Sequence, residues 1–320
     1  MRFIFLLILF WAFPAFADQQ QSFDGWLKGF KAEAMAKGIN AEVIDNAFSD
    51  IDGPSQDILD LDQKQPEGTK TFDEYVYSVV TAAKVKEAKK QWCEHRKVLK
   101  KIEARYHVPA PIILALWAVE SNFGKIQGSY NVIDSLATLA YDGRRSQLFR
   151  TELINALIML QNNDVNYEDM VGSWAGAMGQ TQFMPSSFLK FAVDFDGDGR
   201  KDIWNSDADA LASIANYFHK TGWQYKAGWG IKVDMPEDAD IDEWRTEKSD
   251  KPLKEWNELG FRLPNGKHLP RSSMPAHLVI PEDGSAVFLV FPNYRVIMDW
   301  NRSIYFATSV GLLADAIGKK

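Results

Sequence analysis

Ile112-Ile-Leu-Ala-Leu-Trp-Ala-Val-Glu120-Ser-Asn-Phe-Gly124 is the stretch on which the reading of this chain turns. Ile112 to Val119 is unbroken apolar sequence, and Glu120 follows it directly. Pro109 and Pro111 stand in front, and proline is tolerated in a first helical turn. The spacing therefore predicts a buried helix that opens there and closes at Ser121 to Gly124, with Gly124 suited to a left-handed C-terminal position. A carboxylate in the last turn of such a helix meets two effects of the same sign. Apolar surroundings disfavour its ionised form, and the negative end of the helix dipole adds to that. Both raise its pKa towards neutrality, as a general acid requires. The plain alternative is a glutamate that ends a helix and points to solvent.

The neighbourhood decides against the alternative. Val171-Gly-Ser-Trp-Ala-Gly-Ala-Met-Gly-Gln-Thr-Gln-Phe-Met-Pro-Ser-Ser187 interleaves Gly172, Gly176 and Gly179 with Ser173, Gln180, Gln182 and aromatic side chains. Glycines at that density are expected to let the backbone approach a ligand closely. Hydroxyl and amide groups are what a sugar and its N-acetyl substituents need for hydrogen bonding. A flexible linker is excluded by Trp174, Met178, Phe183 and Met184, which are too apolar for one.

Glu120-Ser-Asn-Phe-Gly124, Gly176-Ala-Met-Gly-Gln-Thr-Gln-Phe-Met-Pro185 and Asn216-Tyr-Phe218 together resemble the lytic murein transglycosylases of the B type. Gln65-Pro-Glu67 upstream and Trp300-Asn-Arg-Ser303 near the end are similar to that family too. The resemblance is collinear over nearly the whole chain after the first residues. It implies a mainly α (α+β) protein, with a lysozyme-like helical core, a helical N-terminal domain and a small β-containing insertion. It also implies cleavage of the β-1,4 bond between N-acetylmuramic acid and N-acetylglucosamine, leaving a 1,6-anhydromuramic end. Glu120 would protonate the leaving oxygen and then act as base on the muramic C6 hydroxyl, which closes onto C1. One carboxylate suffices there, whereas ordinary glycosidases use a pair. The substrate's 2-acetamido group can stabilise the cation-like centre.

Further roles are carried over from the same resemblance. Ser173 matches the serine near the acetamido group, and Gln182 the glutamine of the cleft. Tyr217 and Asn301 match the tyrosine and asparagine beside the glutamate. Tyr75, Arg144 and Arg145 fall where the family contacts its ligand, with weaker local matches. Two features depart from the family. Leu148 stands where an aromatic platform is expected, and no lipid-anchoring cysteine is present near the candidate cleavage point.

Asp194-Phe-Asp-Gly-Asp-Gly-Arg200 has oxygen ligands at positions 1, 3 and 5 of an EF-hand-like loop, with Gly199 at the turn. Asn205 occupies position 12, where a glutamate is usual, and Asp209 can close a longer loop of residues 194–209. Asp194, Asp196, Asp198, Arg200 and Asp209 are thus the candidate metal set. The expected ion is calcium in a structural role, with no organic cofactor. An Asp/Gly-rich turn without metal is the bland reading.

Outward from this centre the chain divides by pattern. Arg2, the apolar run Phe3 to Phe13 and Ala15-Phe-Ala17 read as a signal peptide over 1–17, since the run is shorter than the ~20 residues a spanning helix needs. Export to the periplasm of a Gram-negative envelope is the expected localisation. Residues 18–106 read as a helical N-terminal domain. Helical spacing is evident in Phe23, Trp26, Leu27 and Phe30, and again over Ala41 to Phe48. A polar interval around 53–69 follows, and then one long charged helix over 72–106. The core, 107–229, includes helices at Ser146–Gln161 and Ala208–Lys220. In the insertion, 230–296, Leu278–Ile280 and Val287–Phe291 flank Glu282-Asp-Gly284 as a hairpin. Residues 297–320 return to the helical body through a last helix, Phe306 to Ile317.

Composition bounds the rest. The net charge of −7 argues against nucleic-acid binding, which leaves a basic footprint. Cys93, the single cysteine, cannot form an intramolecular disulfide and reads as a polar helix position. About 300 residues can bury a large core without such staples. The 11 Trp and 10 Tyr serve either that core or sugar stacking. Peptidoglycan glycan strands are the expected partner, with cell-wall synthesis or division proteins as further candidates. A hydrolytic muramidase, a non-catalytic peptidoglycan-binding protein and a calcium-regulated binding module stay open as rivals.

Overall fold

The computed structural model describes residues 22–64, 70–246 and 250–319. Residues 1–17, expected to be a signal peptide, and Gln65-Pro66-Glu67 lie outside them. The described residues form fifteen helices and six short strands. In the N-terminal part these are α1 (Phe23–Ala36), α2 (Ala41–Ala47), α3 (Gln56–Gln63), α4 (Phe72–Val79), α5 (Ala82–Glu94) and α6 (Arg96–Tyr106). The middle holds α7 (Ala110–Ser121), β1 (Tyr130–Asn131), α8 (Val132–Asp142), α9 (Ser146–Gln161), β2 (Val171–Gly172), α10 (Pro185–Phe191) and α11 (Asp207–Lys220). The remainder is β3 (Gly230–Lys232), α12 (Ile241–Arg245), β4 (Lys251–Pro252), α13 (Leu253–Glu258), β5 (Pro275–Val279), β6 (Phe288–Val290), α14 (Pro292–Trp300) and α15 (Ile304–Gly318).

The apolar stretch forms α7, and Ile112 to Ala118 are all buried. A helix apolar all round has no solvent face to offer, and α5, α6, α11 and α15 pack around it. Asn122, not Gly124, is its left-handed C-cap. Asn122, Phe123 and Gly124 take φ of 50°, 62° and 76° in succession. Positive φ is unfavourable for Phe, so neighbours must hold this turn. Phe123 N–H donates to Trp117 O (3.2 Å), and Ile126 N–H donates to Ser121 O (2.8 Å). Gly124 N–H donates to Ser121 Oγ (3.0 Å).

The long charged helix expected over 72–106 is three helices. Thr71 starts α4 with a capping box to Glu74, and Thr81 caps α5 through Lys84 N–H. The second break is His95, whose ring bonds Asp207 Oδ2 at 2.9 Å and Gln91 O at 3.1 Å. The polar interval also contains a helix, α3, whose Asp62 is buried at 3% exposure. Cys93 is exposed on α5.

The hairpin forms where expected, as β5 against β6, with Leu278 opposite Leu289. It is the centre of a four-stranded antiparallel sheet ordered β3-β6-β5-β4. Val233, Leu253, Trp256, Phe261, Leu269, Ala276, Leu278 and Leu289 form a small core there, separate from the main one. Asp283, at the hairpin turn, accepts Phe72 N–H (2.9 Å) and so touches the start of α4. Helix α14 runs across residue 296 and delivers Trp300 to the middle of the molecule.

Candidate active site

Glu120 stands one residue from the end of α7 and is half-buried. Trp300 Nε1–H donates to its Oε1 at 2.6 Å. Burial pushes the carboxyl up to about 7, against the opposing pull of that indole bond. Part of Glu120 is open to solvent, but it lies deep among protein atoms, and the desolvation outweighs the hydrogen bond. Among the described residues, no second carboxylate takes part in shifting it.

Trp300 is held by rings. Tyr217, on α11, lies 4.6 Å from it between centroids, Phe183 5.2 Å and Phe218 5.8 Å. Tyr217 also meets Phe191 at 4.5 Å, and burial pushes its phenol up to about 12. Tyr75, on α4, is raised by burial and then by the charge of Glu120. Its ring lies 5.9 Å from Tyr305. Glu120, Trp300, Tyr217 and Tyr75 therefore share one neighbourhood, drawn from α7, α14, α11 and α4.

The other sequence candidates are placed differently. Asn301 is exposed, and its Oδ1 accepts the N–H of Ser303 (3.0 Å), the residue whose own side chain caps α15. Ser173 Oγ accepts Ala177 N–H (3.1 Å) inside the glycine-rich loop. Gln182, with φ 50°, donates Nε2–H to Gln127 O (3.1 Å) and Gly179 O (2.9 Å). Arg144 and Arg145 converge on Asp62: Arg144 Nε–H donates to Oδ2 (3.1 Å), and Arg145 Nη2–H to Oδ1 (2.8 Å). They clamp α3 to the turn between α8 and α9, a structural task the sequence did not reveal. Leu148 is 52% exposed.

The glycine-rich loop also differs from expectation. Its glycines make room for protein, not for a ligand. A Cβ on Gly172 would lie 2.2 Å from Ala177 O, and one on Gly179 2.7 Å from Ile203 O. Gly176 faces Leu136 in the same way. Gln180, in the same loop, is only 3% exposed. A cavity of about 510 Å³ opens beside the Gly124 turn, lined among others by Gln127, Asp164, Asp202 and Trp204. Glu120 does not line it, so the chemistry locates the site and cavity size does not.

In the acidic loop, carboxylate oxygens of Asp194, Asp196 and Asp209 lie within 4.8 Å of one another. Asp198 and Arg200 are not part of that cluster; Asp198 Oδ1 instead accepts Arg200 N–H (2.8 Å). Asp209 is fully buried, and it accepts N–H groups from Phe195 (2.7 Å) and Asp202 (2.9 Å). Burial raises its pKa, against those backbone bonds, and Asp196 adds repulsion.

A family model described as the transglycosylase SLT domain matches residues 22–315. The chain belongs to that family. Within it, this SLT-domain chain is similar to the membrane-bound lytic murein transglycosylase B of Escherichia coli strain K12. The two are 31% identical over 227 residues, 71% of this chain and 62% of that relative. The match thus spans less than two thirds of the relative's length. The crystal structure of SltB3 from Pseudomonas aeruginosa in complex with NAG-NAM-pentapeptide is 41% identical. It superposes with a TM-score of 0.88 over 94% of this chain and 80% of that one. Slt35 of Escherichia coli in complex with calcium is 26% identical, with a TM-score of 0.77 over 96% and 98% of the two chains. The SLT-domain chain accordingly has the mainly α, lysozyme-like fold. Trp300 is the site residue that sequence reading passed over. Its only signal was membership of the Trp-Asn-Arg-Ser run, where Asn301 drew attention instead.

Proposed function

We propose that this chain is a peptidoglycan lytic transglycosylase that cuts the β-1,4 bond between N-acetylmuramic acid and N-acetylglucosamine. One observation carries the reading: a single carboxyl, Glu120, is poised near neutrality by burial, with the indole N–H of Trp300 as its hydrogen-bond partner among the described residues. At pH 7 such a group is divided between its two states. The protonated form can donate to the leaving oxygen, and the resulting carboxylate can then take the C6 hydroxyl proton as C6 oxygen closes onto C1. A 1,6-anhydro end results. The likeness to a structure holding NAG-NAM-pentapeptide supports the substrate class. Ser173, Gln182, Tyr217, Tyr75 and Asn301 are the proposed subsite residues, with Arg144 and Arg145 proposed as further ligand contacts in addition to their Asp62 bonds.

Calcium fits the acidic loop. Asp194, Asp196 and Asp209 offer hard oxygen donors, and among the described residues no cationic side chain pairs with any of the three. A bound ion would neutralise them and fasten the loop to α11. The E. coli relative in complex with calcium is consistent with this. Export through the 1–17 segment to the periplasm is likewise proposed. Among the described residues, no helix is long and apolar enough to cross a membrane. The proposed organisation is a helical unit to 106, a core over 107–229, the β-containing insertion 230–296 and the return 297–320. Cell-wall synthesis or division proteins remain candidate partners.

Glu120→Gln tests the assignment. The variant is expected to fold and bind glycan, yet release less than about one per cent of the wild-type product from sacculi, since general acid catalysis alone contributes ~10²–10⁴-fold. Release well above that level would contradict the role of Glu120.

A further inference from the structure

We infer that Gln180 is a positioning residue that fixes the last turn of α7, and with it the carboxyl of Glu120, through two separate bonds. The inference rests on the proposed role of Glu120. It goes beyond that role by naming what holds the acid in place.

The geometry is specific. Trp117 Nε1–H donates to Gln180 Oε1 at 2.8 Å, and Ser121 Oγ–H donates to Gln180 main-chain O at 2.7 Å. Trp117 lies three residues before Glu120 and Ser121 one after it, so the two anchors bracket the acid on its own helix. One bond alone would leave the helix end free to rotate about it. Two bonds from one residue oppose both rotation and sliding.

Gln180 is itself immobilised. Its Nε2 donates to Trp204 O (3.2 Å) and Asp207 Oδ1 (3.0 Å), and its backbone N–H to Ile203 O (2.9 Å). Asp207 is in turn bonded to His95. These partners also fix the amide orientation, because an indole donor faces Oε1 while two acceptors face Nε2. The bare Cα of Gly124 completes the fit. A Cβ there would stand 2.7 Å from Gln180 Oε1. The run ending in Gly124 and the loop carrying Gln180 are thus two halves of one steric arrangement.

A buried amide with all its groups satisfied and no atom on the acid acts through position alone. Misplacement of a reacting group by about 1 Å can cost ~10²-fold. Three variants probe the device. Gln180→Leu removes the side-chain bonds at similar volume, Trp117→Phe removes one anchor while keeping a ring, and Ser121→Ala removes the other. Should Gln180→Leu fail to fold, the two single-anchor variants decide the question, with melting curves reporting their integrity. Turnover on a soluble glycan strand is expected to fall about tenfold or more in kcat, with KM changed less than about twofold, as for a misplaced reacting group. Trp117→Phe should add little in the Gln180→Leu background, because both remove the same bond.

A second readout needs no turnover. Carbon-13 titration of the Glu120 carboxyl should show its midpoint moving down by about half a pH unit or more, as a loosened helix end admits water. Folded variants with wild-type kcat and an unmoved or raised midpoint would overturn the proposal. A wild-type protein that turns over no glycan would instead contradict the function reading. The titration would then still decide whether Gln180 positions Glu120.

Discussion

At the scale of the residue, burial raises the pKa of Glu120 and Trp300 moderates the rise. Its indole N–H bonds the carboxylate and favours the charged form, and burial favours the neutral one by more. The sign of its removal follows. Trp300→Phe keeps a ring among Tyr217, Phe183 and Phe218 but deletes the donor, so the Glu120 pKa should rise from about 7. Since the acid must carry a proton, activity should fall as pH climbs through that value. The falling limb of kcat against pH is therefore expected to move to higher pH in Trp300→Phe, by roughly half a unit or more. A limb that stays put, or moves down, would mean the indole bond does not tune the acid. Glu120 itself was legible in the sequence, because eight apolar neighbours and a helix end announce a strained carboxyl. Trp300 was not, because its partner lies 180 residues away and nothing local distinguishes it from a core tryptophan.

At the scale of the element, helices that end on side-chain bonds to distant partners escaped sequence reading. The expected single helix over 72–106 breaks at His95, which is claimed by Asp207 112 residues downstream. Helix α8 announced itself more openly. Asn131 caps it by accepting Ile133 and Asp134 N–H groups, and Val132, Ile133, Leu136 and Leu139 are buried on it. That signature lies beside the more conspicuous catalytic motifs and was passed over. The acidic loop belongs to this scale as well. Its first half was read from residue type and spacing, while the burial of Asp209, the proposed closing ligand, depends on how α11 begins. Excess calcium is expected to raise the melting temperature by several degrees, since an ion bound only by the native state stabilises it by mass action. Asp209→Asn should remove most of that increment, measured against its own metal-free melting curve. Equal increments in variant and wild type would place the ion elsewhere.

At the scale of the whole molecule, the site is assembled from helices far apart in sequence around the all-apolar α7. The mainly α architecture and the small β unit were legible, because hydrophobic period and the Glu282-Asp-Gly284 turn report them directly. How the β unit meets the body was not legible, because it depends on Asp283 bonding the start of α4. Asp283 bears on the central claim, since an acid from the insertion was the natural place to look for a second catalytic carboxylate. It is occupied with Phe72 and Ser285, and among the described residues no carboxylate contributes to the shift of Glu120. Closure by the substrate's own C6 oxygen needs one carboxylate, whereas attack by a held water ordinarily uses a second. Digestion of sacculi in heavy-oxygen water, with mass spectrometry of the new ends, tests this most directly. The account predicts unlabelled muramic ends, lighter by one water than hydrolysed ones. Heavy oxygen in most of the new reducing ends would contradict it and make the enzyme a muramidase.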